Sequence, residues 1–256
     1  MKQWHTIALT VLNFLLAGYL ILAMTTFNQP DNSDLRCEDI EINIEEGNTN
    51  GFLTKKSITQ MLQQNHISII GCLPDSINIR KVEDVLKASP LVKSVDCSIT
   101  TEGKLCIDVT QRLPIVRIKT SNSDYYIDDA GNIMPSTNYH ADLIIATGSI
   151  SKNYAQRSLY PLVSTINDDE LWLNQIEQIN ILPDKGVELV PRVGNHVVYL
   201  GQLPTGNSIE QDSINSFVRH KLERLDKFYR FGLSEVGWDR YSYINLEYDN
   251  QIICKQ

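Results

Sequence analysis

Few residues in the chain have the types and spacing that catalysis or metal binding requires. The sequence holds no H-E-x-x-H metal motif, no phosphate-binding loop, no G-x-S-x-G nucleophile motif and no dinucleotide fingerprint. The five cysteines lack the C-x2-C spacing of zinc sites. The histidines are scattered singly, and surface or packing roles are expected for His5, His66, His140, His196 and His220. We therefore expect no catalytic residue, no metal and no cofactor.

Two groups of carboxylates remain as candidates for acid–base chemistry. Asp128 and Asp129 lie in a Y-I-D-D-A-G segment, and adjacent strand residues point to opposite faces of a sheet. A turn in which an Asp side chain bonds nearby backbone N–H groups is therefore favoured over a catalytic pair. Residues 168–170 (D-D-E) are typical of an acidic helix start. Neither group indicates an enzyme.

The cysteines also bear on disulfide formation. All five lie beyond residue 30: Cys37, Cys72, Cys97, Cys106 and Cys254. An odd number leaves at least one of them unpaired. Cys97 and Cys106 flank a predicted hairpin and could approach each other, and buried thiols are the alternative.

Charge is distributed unevenly along the 256 residues. The formal net charge is −8, but the first 30 residues contain one Lys and no Asp or Glu, which leaves 22 basic against 31 acidic residues in the remainder. This acidic balance argues against a general nucleic-acid binder. The hydrophobic fraction of 42% is ordinary for a folded protein, and the length allows one or two domains.

Residues 6–27 form an uncharged run of 22 residues, which predicts a transmembrane helix. Such a helix would be roughly 33 Å long, enough for the hydrocarbon core of a bilayer. The run exceeds the usual apolar core of a signal peptide, so an uncleaved anchor is favoured. Lys2 precedes the run, and Asp31 and Asp34 follow it. This charge pattern predicts a cytoplasmic N-terminus, with residues 28–256 outside the inner membrane.

The exported part is predicted to be α+β in two portions. The first has the order strand, helix, helix, strand, strand, at about 37–44, 55–64, 79–88, 92–99 and 104–112. The second is a mostly antiparallel β-domain with strands at about 114–119, 125–127, 143–147, 176–182, 186–191, 196–200, 234–239 and 243–254. The final strand offers an edge to a partner strand or is an ordinary paired strand.

A long amphipathic helix is predicted at residues 213–230 of the second portion. Its basic residues are Arg219, Lys221, Arg224, Lys227 and Arg230. A solvated face is favoured for them over a nucleic-acid or lipid site, because acidic residues partly balance the charge.

An ordered set of segments resembles the FtsQ/DivIB family of bacterial cell-division proteins. The segment S-P-L-V-K-S-V, followed by G-K-L-C-I-D-V-T-Q-R-L-P-I, resembles the family's junction between a POTRA domain and a β-domain, with Arg112 and Pro114 at the junction. The segments Y-Y-I-D-D-A-G-N-I-M-P, V-V-Y-L-G, K-L-E-R-L-D-K-F-Y and I-N-L-E-Y resemble elements of the β-domain. The segments Q-I-I-C and G-W-D-R-Y-S-Y resemble the Bacteroidetes branch.

The resemblance implies a cytoplasmic tail at residues 1–5, a transmembrane helix at 6–27, a linker at 28–36, a POTRA domain at 37–112 and a β-domain at 113–256. It also implies a non-enzymatic scaffold of the divisome that acts in septum formation. Its β-domain would bind FtsB/FtsL-like coiled-coil membrane proteins and other divisome proteins.

In that family a partner strand adds beside the final strand, at a D-L-R-Y-type motif. The positions that match here are Asn245, Leu246, Glu247 and Tyr248, with Asp249, Asn250 and Ile252 beyond them. The partner-binding residues that the resemblance implies are Leu246, Glu247, Tyr248, Asn250 and Ile252. Glu247 stands where Arg is usual, so main-chain pairing would survive but an ion pair with a partner carboxylate would not. We expect the partner to carry Lys or Arg opposite Glu247.

Other classes of protein fit parts of the same outline. A POTRA-type protein of another envelope-assembly or secretion pathway usually carries several POTRA repeats and a long barrel. A membrane-tethered cell-wall enzyme needs a nucleophile or metal site in its β-part. A tethered structural domain with a different partner needs neither.

Overall fold

The computed structural model describes residues 2–23, 36–45, 53–136, 142–204 and 211–256. The predicted linker except residue 36, the end of the predicted transmembrane run at 24–27 and His140 lie outside the described residues.

The chain begins with a 21-residue helix, α1 (Lys2–Leu22). The apolar side chains described on it are exposed, and Phe14 is 82% exposed. Among the residues that the structure describes, none of the helices has both the length and the apolar character needed to cross a membrane.

Two compact units divide the chain. The smaller comprises Met1–Glu41, Ser68–Asn78 and Ser98–Cys106, and the larger comprises Ile42–Ile67, Ile79–Cys97 and Ile107–Gln256. The domain boundary predicted at residues 112 and 113 stays a prediction.

A small sheet contains the first three strands. Its strands β1 (Ile40–Glu45), β2 (Val92–Ile99) and β3 (Leu105–Gln111) have the order β1-β3-β2. Between β1 and β2 the chain forms α2 (Lys55–Gln64) and α3 (Ile79–Lys87). The predicted order of strand, helix, helix, strand, strand is confirmed. The Thr54 hydroxyl caps α2 by accepting a hydrogen bond from Ser57 N–H at 3.1 Å.

The remaining strands form a nine-stranded sheet. They are β4 (Pro114–Lys119), β5 (Asp124–Asp128), β6 (Ile133–Pro135), β7 (Ile144–Gly148), β8 (Ile176–Ile181), β9 (Gly186–Pro191), β10 (Val197–Gln202), β11 (Tyr243–Asn245) and β12 (Ile253–Lys255). Their order is β12-β11-β10-β9-β8-β7-β4-β5-β6. The helices of this part are α4 (Lys152–Tyr154), α5 (Tyr160–Asn167), α6 (Glu170–Gln175), α7 (Gln211–Phe228) and α8 (Ser234–Val236), with π-helical turns at Ala155–Leu159 and Tyr229–Leu233.

The large sheet is mixed, although most of its neighbouring pairs are antiparallel as expected. The β4–β7, β7–β8 and β10–β11 pairs are parallel, and the other five neighbouring pairs are antiparallel. Parallel neighbours need a long crossover connection. Helices α4–α6 lie between β7 and β8, and α7–α8 lie between β10 and β11. The helical segments between apolar strands were therefore the signal for parallel pairing.

One hydrophobic core joins this sheet to its helices. From the strands it contains Val116, Ile118, Ile127, Ile144, Ala146, Ile179, Ile181, Val187, Leu189, Val198 and Leu200. From the helical segments it contains Leu159, Leu162, Val163, Ile166, Val218, Leu222, Leu225 and Leu233. Helix α7 packs its apolar face into this core. The residues of α7 that flank this face therefore lie close to the neighbouring strands.

Two short elements differ from the prediction. Residues 234–239, predicted as a strand, form α8 and a turn, because the chain continues helically until Gly237, whose N–H bonds to Leu233 O at 2.8 Å and whose φ is +100°. Strand β6 was missed, because it has only three residues and closely follows the turn at Gly131.

Candidate functional site

The last two strands form a short hairpin at one end of the large sheet. β11 runs parallel to β10, with Ile244 opposite Val198, and β12 runs antiparallel to β11, with Cys254 opposite Ile244. β12 is the terminal strand of the sheet order, so no strand in the described part of the chain covers its outer side. The continuous strand predicted at 243–254 is therefore wrong.

Polar residues reverse the chain between β11 and β12. Asn245 Oδ1 accepts a hydrogen bond from Glu247 N–H at 2.7 Å, and such a side-chain turn ends a strand. The Asp249–Asn250 pair follows, which is a strong turn signal. The apolar residues on both sides outweighed this signal in the strand prediction. We call residues 246–252 the β11–β12 turn.

Lys221 of α7 binds the β11–β12 turn from within the protein. Its side chain is 2% exposed, and its Nζ donates to Leu246 O at 2.9 Å, Glu247 O at 2.8 Å and Asp249 Oδ1 at 2.8 Å. An ammonium group has three donor hydrogens, so all three are used. A buried charge is tolerated only when it is paired and hydrogen-bonded. The helix and the turn therefore depend on each other.

Arg224, one turn further along α7, binds both ends of the same turn. Its guanidinium donates to Leu246 O at 3.1 Å through one nitrogen and to Gln251 O at 2.9 Å through another. The planar fork of a guanidinium suits two acceptors at fixed separation. Lys221 and Arg224 together supply hydrogen bonds to four groups of the turn.

The interpretation of the basic residues of the helix predicted at 213–230 as a solvated face is wrong for two of them. Arg219, Lys227 and Arg230 are exposed, but Lys221 is buried and Arg224 is mostly buried. The position of Lys221 in the helical repeat indicated that its side chain is buried. Position 221 is three residues after a buried valine at 218 and four before a buried leucine at 225, which is the apolar side of the helix.

The charge of Asp249 is stabilised by this arrangement. Hydrogen bonding from Lys221 lowers the pKa of the Asp249 carboxyl below its ordinary value, and the nearby His220 and Arg224 act in the same direction. Asp249 is well exposed, so its ionised oxygen contacts both the buried Lys221 ammonium and the solvent.

The predicted partner-binding residues divide into exposed and buried groups. Tyr248 is 51% exposed, and Glu247 and Asn250 are exposed beside it on the β11–β12 turn. Ile252 is partly buried against the core of the large sheet. Leu246 is fully buried in that core, so its side chain anchors the turn and is not part of the surface.

The predicted junction residues meet at a buried ion pair. Arg112 donates to Val92 O at 3.0 Å and to Asp128 Oδ2 at 2.6 Å. Pro114 begins β4 and is paired with Asp128 of β5. Beside them, Lys93 Nζ lies 2.8 Å from Asp129 Oδ2. Each of the two adjacent carboxylates thus binds a cation: Asp129 binds Lys93 of β2, and Asp128 binds Arg112, which lies between β3 and β4.

Asp128 also organises its own turn, as predicted. Its Oδ1 accepts from Ala130 N–H at 3.0 Å and from Asn132 N–H at 2.6 Å. Burial acts to raise the pKa of Asp128, but hydrogen bonds from Arg112, Asn132 and Ala130 outweigh it and lower the pKa below the ordinary value. With the Asn132 side-chain amide, which donates to Asp128 Oδ2 at 3.1 Å, four donors hold this carboxylate ionised, so Asp128 is a structural group and a poor proton donor.

The acidic helix start is also confirmed. Asp169 caps α6, and its Oδ1 accepts from Leu171 N–H at 2.9 Å and from Trp172 N–H at 3.4 Å. Asp168 and Asp169 line a hollow of about 540 Å³ beside α7. Within the described ranges, no group of three or more His, Cys, Asp or Glu side chains is placed to hold a metal ion.

Family models match most of the chain. Residues 113–255 match "FtsQ/DivIB, C-terminal related", and residues 35–110 match "POTRA-like domain". A search of curated proteins found no match. Both matched families are non-enzymatic scaffold domains, and the first match alone spans more than half of the sequence. The chain therefore belongs to the FtsQ/DivIB family, as a division-related protein with a POTRA-like domain.

Proposed function

We propose that this protein is a single-pass inner-membrane scaffold of the bacterial division machinery, with no enzymatic activity of its own. Its POTRA domain would span residues 37–112 and its β-domain residues 113–256. The β-domain would bind an FtsB/FtsL-like partner at β12 and the β11–β12 turn. The observation that carries the proposal is the position of β12 at the end of the large sheet, beside a turn held by the buried Lys221 and the mostly buried Arg224.

Strand addition suits this edge. A terminal strand offers backbone N–H and C=O groups to a further strand, which supplies affinity independent of the partner's side chains. The exposed side chains beside it, Glu247, Tyr248 and Asn250, would supply specificity. Lys221 and Arg224 favour this role because a turn that is already ordered loses little conformational entropy on binding.

Tyr248 should be the side chain with the largest effect on partner binding. Removing a half-exposed aromatic ring next to the edge, in Tyr248→Ala, should weaken binding of the purified partner at least tenfold, because aromatic anchors dominate interface energies. Ile252→Lys should weaken it as well by placing a charge beside β12. Phe231→Ala is the matched control, since Phe231 is 77% exposed and lies outside the hairpin. Unchanged affinity in both Tyr248→Ala and Ile252→Lys would place the interface elsewhere.

The proposed partner carries Lys or Arg opposite Glu247. The Glu247 carboxylate is on the exposed turn, where a cation of the partner could reach it without a large desolvation cost. A solved complex with Asp or Glu at that partner position would contradict this part of the proposal.

The membrane anchor is proposed for residues 6–27. Its support is the uncharged run in the sequence, which coincides over most of its length with α1, and the exposed apolar side chains of that helix. The proposed topology puts residues 1–5 in the cytoplasm and residues 28–256 outside. Protease added to spheroplasts should digest the exported part while carbonate washing leaves the chain with the membrane. Release by carbonate would contradict the anchor.

Depletion of the protein tests the division role. We expect the depleted cells to form filaments with unfinished septa, and we expect a copy with both Tyr248→Ala and Ile252→Lys to restore division poorly. Cells that divide normally on depletion would favour a POTRA-type role in another envelope pathway. A cleared band on intact peptidoglycan in a zymogram would favour a tethered cell-wall enzyme.

A further inference from the structure

Cys37 and Cys72 lie opposite each other in hydrogen-bonded backbone. Cys37 N–H donates to Cys72 O at 2.9 Å, and Gly71 N–H donates to Cys37 O at 2.8 Å. Gly71 has a φ of +83°. Two such bonds with a left-handed glycine form a G1 bulge, in which Gly71 and Cys72 together face Cys37. Arg36 adds a third bond by donating to Gly71 O at 2.9 Å.

This backbone geometry suits a disulfide. Directly opposed residues in a hydrogen-bonded antiparallel pair have Cα atoms about 5.5 Å apart. Disulfides join residues whose Cα atoms are about 4.4–6.8 Å apart. The Cys37 thiol donates to Asp39 O at 3.3 Å and the Cys72 thiol to Ser68 O at 3.5 Å. Thiols are weak donors, so turning both side chains toward each other sacrifices little.

The other cysteines are poorly placed for pairing. Buried residues alternate along β2 and β3 so that Cys97 faces the buried side of the small sheet, whereas Cys106 lies between two buried neighbours and faces the other side. The predicted approach of these two is therefore not supported. Burial raises the pKa of the Cys97 thiol to about 12 and also raises that of Cys254. Such thiols form little of the thiolate that begins disulfide exchange, whereas the partly exposed Cys72 can react first and leaves the buried Cys37 only an intramolecular step.

We propose that Cys37 and Cys72 form a disulfide in the exported protein, which rests on the extracytoplasmic location proposed above. The oxidant is a disulfide of a protein or of a small thiol. The partly exposed Cys72 thiolate attacks it, which forms a mixed disulfide and releases one thiol. The buried Cys37 thiolate then attacks Cys72 Sγ, which forms the new S–S bond and releases the second thiol. The two cysteine protons pass to the released thiolates.

This bond would fasten the first described residues after the predicted linker to the segment that precedes α3. It would close a loop that contains β1 and α2. A covalent link across such a loop lowers the conformational entropy of the unfolded chain. The disulfide would therefore hold β1, which closely follows the predicted linker, in place in the exported part.

Oxidation of the purified full-length chain tests this pairing independently of its location. The reduced protein is equilibrated with a mixture of reduced and oxidised glutathione, blocked with N-ethylmaleimide under denaturing conditions, and digested without reductant. We expect mass spectrometry to find one linked peptide pair, from Cys37 and Cys72, and three blocked thiols. Cys106→Ser, the matched control, should keep the link, and Cys72→Ser should lose it.

Thermal unfolding supplies a second readout. Reduction should lower the unfolding midpoint of the oxidised wild type and of Cys106→Ser by about 5–10 °C, and it should leave the Cys37→Ser/Cys72→Ser double variant unchanged. A different linked pair, or five blocked thiols after oxidation, would overturn the proposal. If the spheroplast assay places residues 28–256 outside and the protein from those cells lacks the link, the disulfide fails while the proposed function stands.

Discussion

Lys221→Met should lower the free energy of unfolding by about 2–3 kcal/mol, because it removes the buried ammonium that binds three acceptors of the β11–β12 turn. Methionine keeps the apolar stem of the side chain, so the loss reports the charge and its hydrogen bonds. Glu247 O and Asp249 Oδ1 would lose a charged donor, and Leu246 O would keep only its bond from Arg224. Urea unfolding of a fragment of residues 28–256 measures the change.

Lys227→Met is the matched control for this change. Lys227 is an exposed residue of the same helix, so its replacement should change the free energy of unfolding by no more than about 0.5 kcal/mol. Equal stability of the two variants would contradict the role given to Lys221. Hydrogen exchange adds a local readout: in Lys221→Met the amides of residues 246–253 should exchange faster than in Lys227→Met.

Lys221→Met also tests whether partner binding depends on the order of the β11–β12 turn and not on direct contact with Lys221. The Lys221 side chain is buried, so an added partner strand would not touch it. If the turn positions Tyr248, partner affinity should fall in Lys221→Met at temperatures where the variant is fully folded. Binding that stays at the wild-type level while the turn exchanges faster would mean that the ordered turn is unnecessary for the partner.

Asp128→Ala should lower the free energy of unfolding by about 3–4 kcal/mol, since it leaves Arg112 without its carboxylate and two backbone N–H groups without acceptors. Asp128 is 1% exposed, so water cannot replace the lost partners easily. Asp129→Ala is the control, because the Lys93–Asp129 pair is partly exposed and such pairs contribute up to about 1 kcal/mol. An equal loss of the free energy of unfolding in the two variants would contradict the structural role given to Asp128.

The contribution of Asp128 to the free energy of unfolding should decrease as the pH falls. Its pKa is lowered in the folded protein, so the folded state binds the proton less tightly than the unfolded state. The stabilisation is fully present above the unfolded-state pKa of about 3.9, and it is lost as the pH falls through the folded-state pKa. The difference between wild type and Asp128→Ala should therefore shrink as the pH is lowered below about 4. A constant difference down to the acid transition would be the contrary result.

The small sheet and its helices were predictable because their signals are local. Thr54 caps α2 with its own hydroxyl, and the apolar stripe of α3 has helical period, so each element could be located without knowing its neighbours. The same holds for the turn at Asp128, whose bonds to Ala130 and Asn132 lie within four residues. Only the bond from Arg112 to Asp128 required the tertiary structure.

The hairpin of β11 and β12 was not predictable in the same way. Alternating apolar residues at 243–254 fit one long strand as well as two short ones. The local bond from Glu247 N–H to the Asn245 side chain and the α7 residues Lys221 and Arg224 together hold the chain in a turn, since Lys221 and Arg224 bind carbonyl groups of residues 246, 247 and 251. The groups that Lys221 and Arg224 bind lie more than 20 positions away in the sequence, so no local pattern identifies these partners.

The sequence by itself determined the family, the order of most elements and the identity of an exposed tyrosine near the last strand. These follow from local periodicity, turn chemistry and an ordered set of segments. Tertiary structure alone decided that Leu246 belongs to the core and which groups of the turn accept the hydrogen bonds of Lys221. The physical reason is that a charged side chain is buried only where distant acceptors converge on it, and the folded chain determines where they converge.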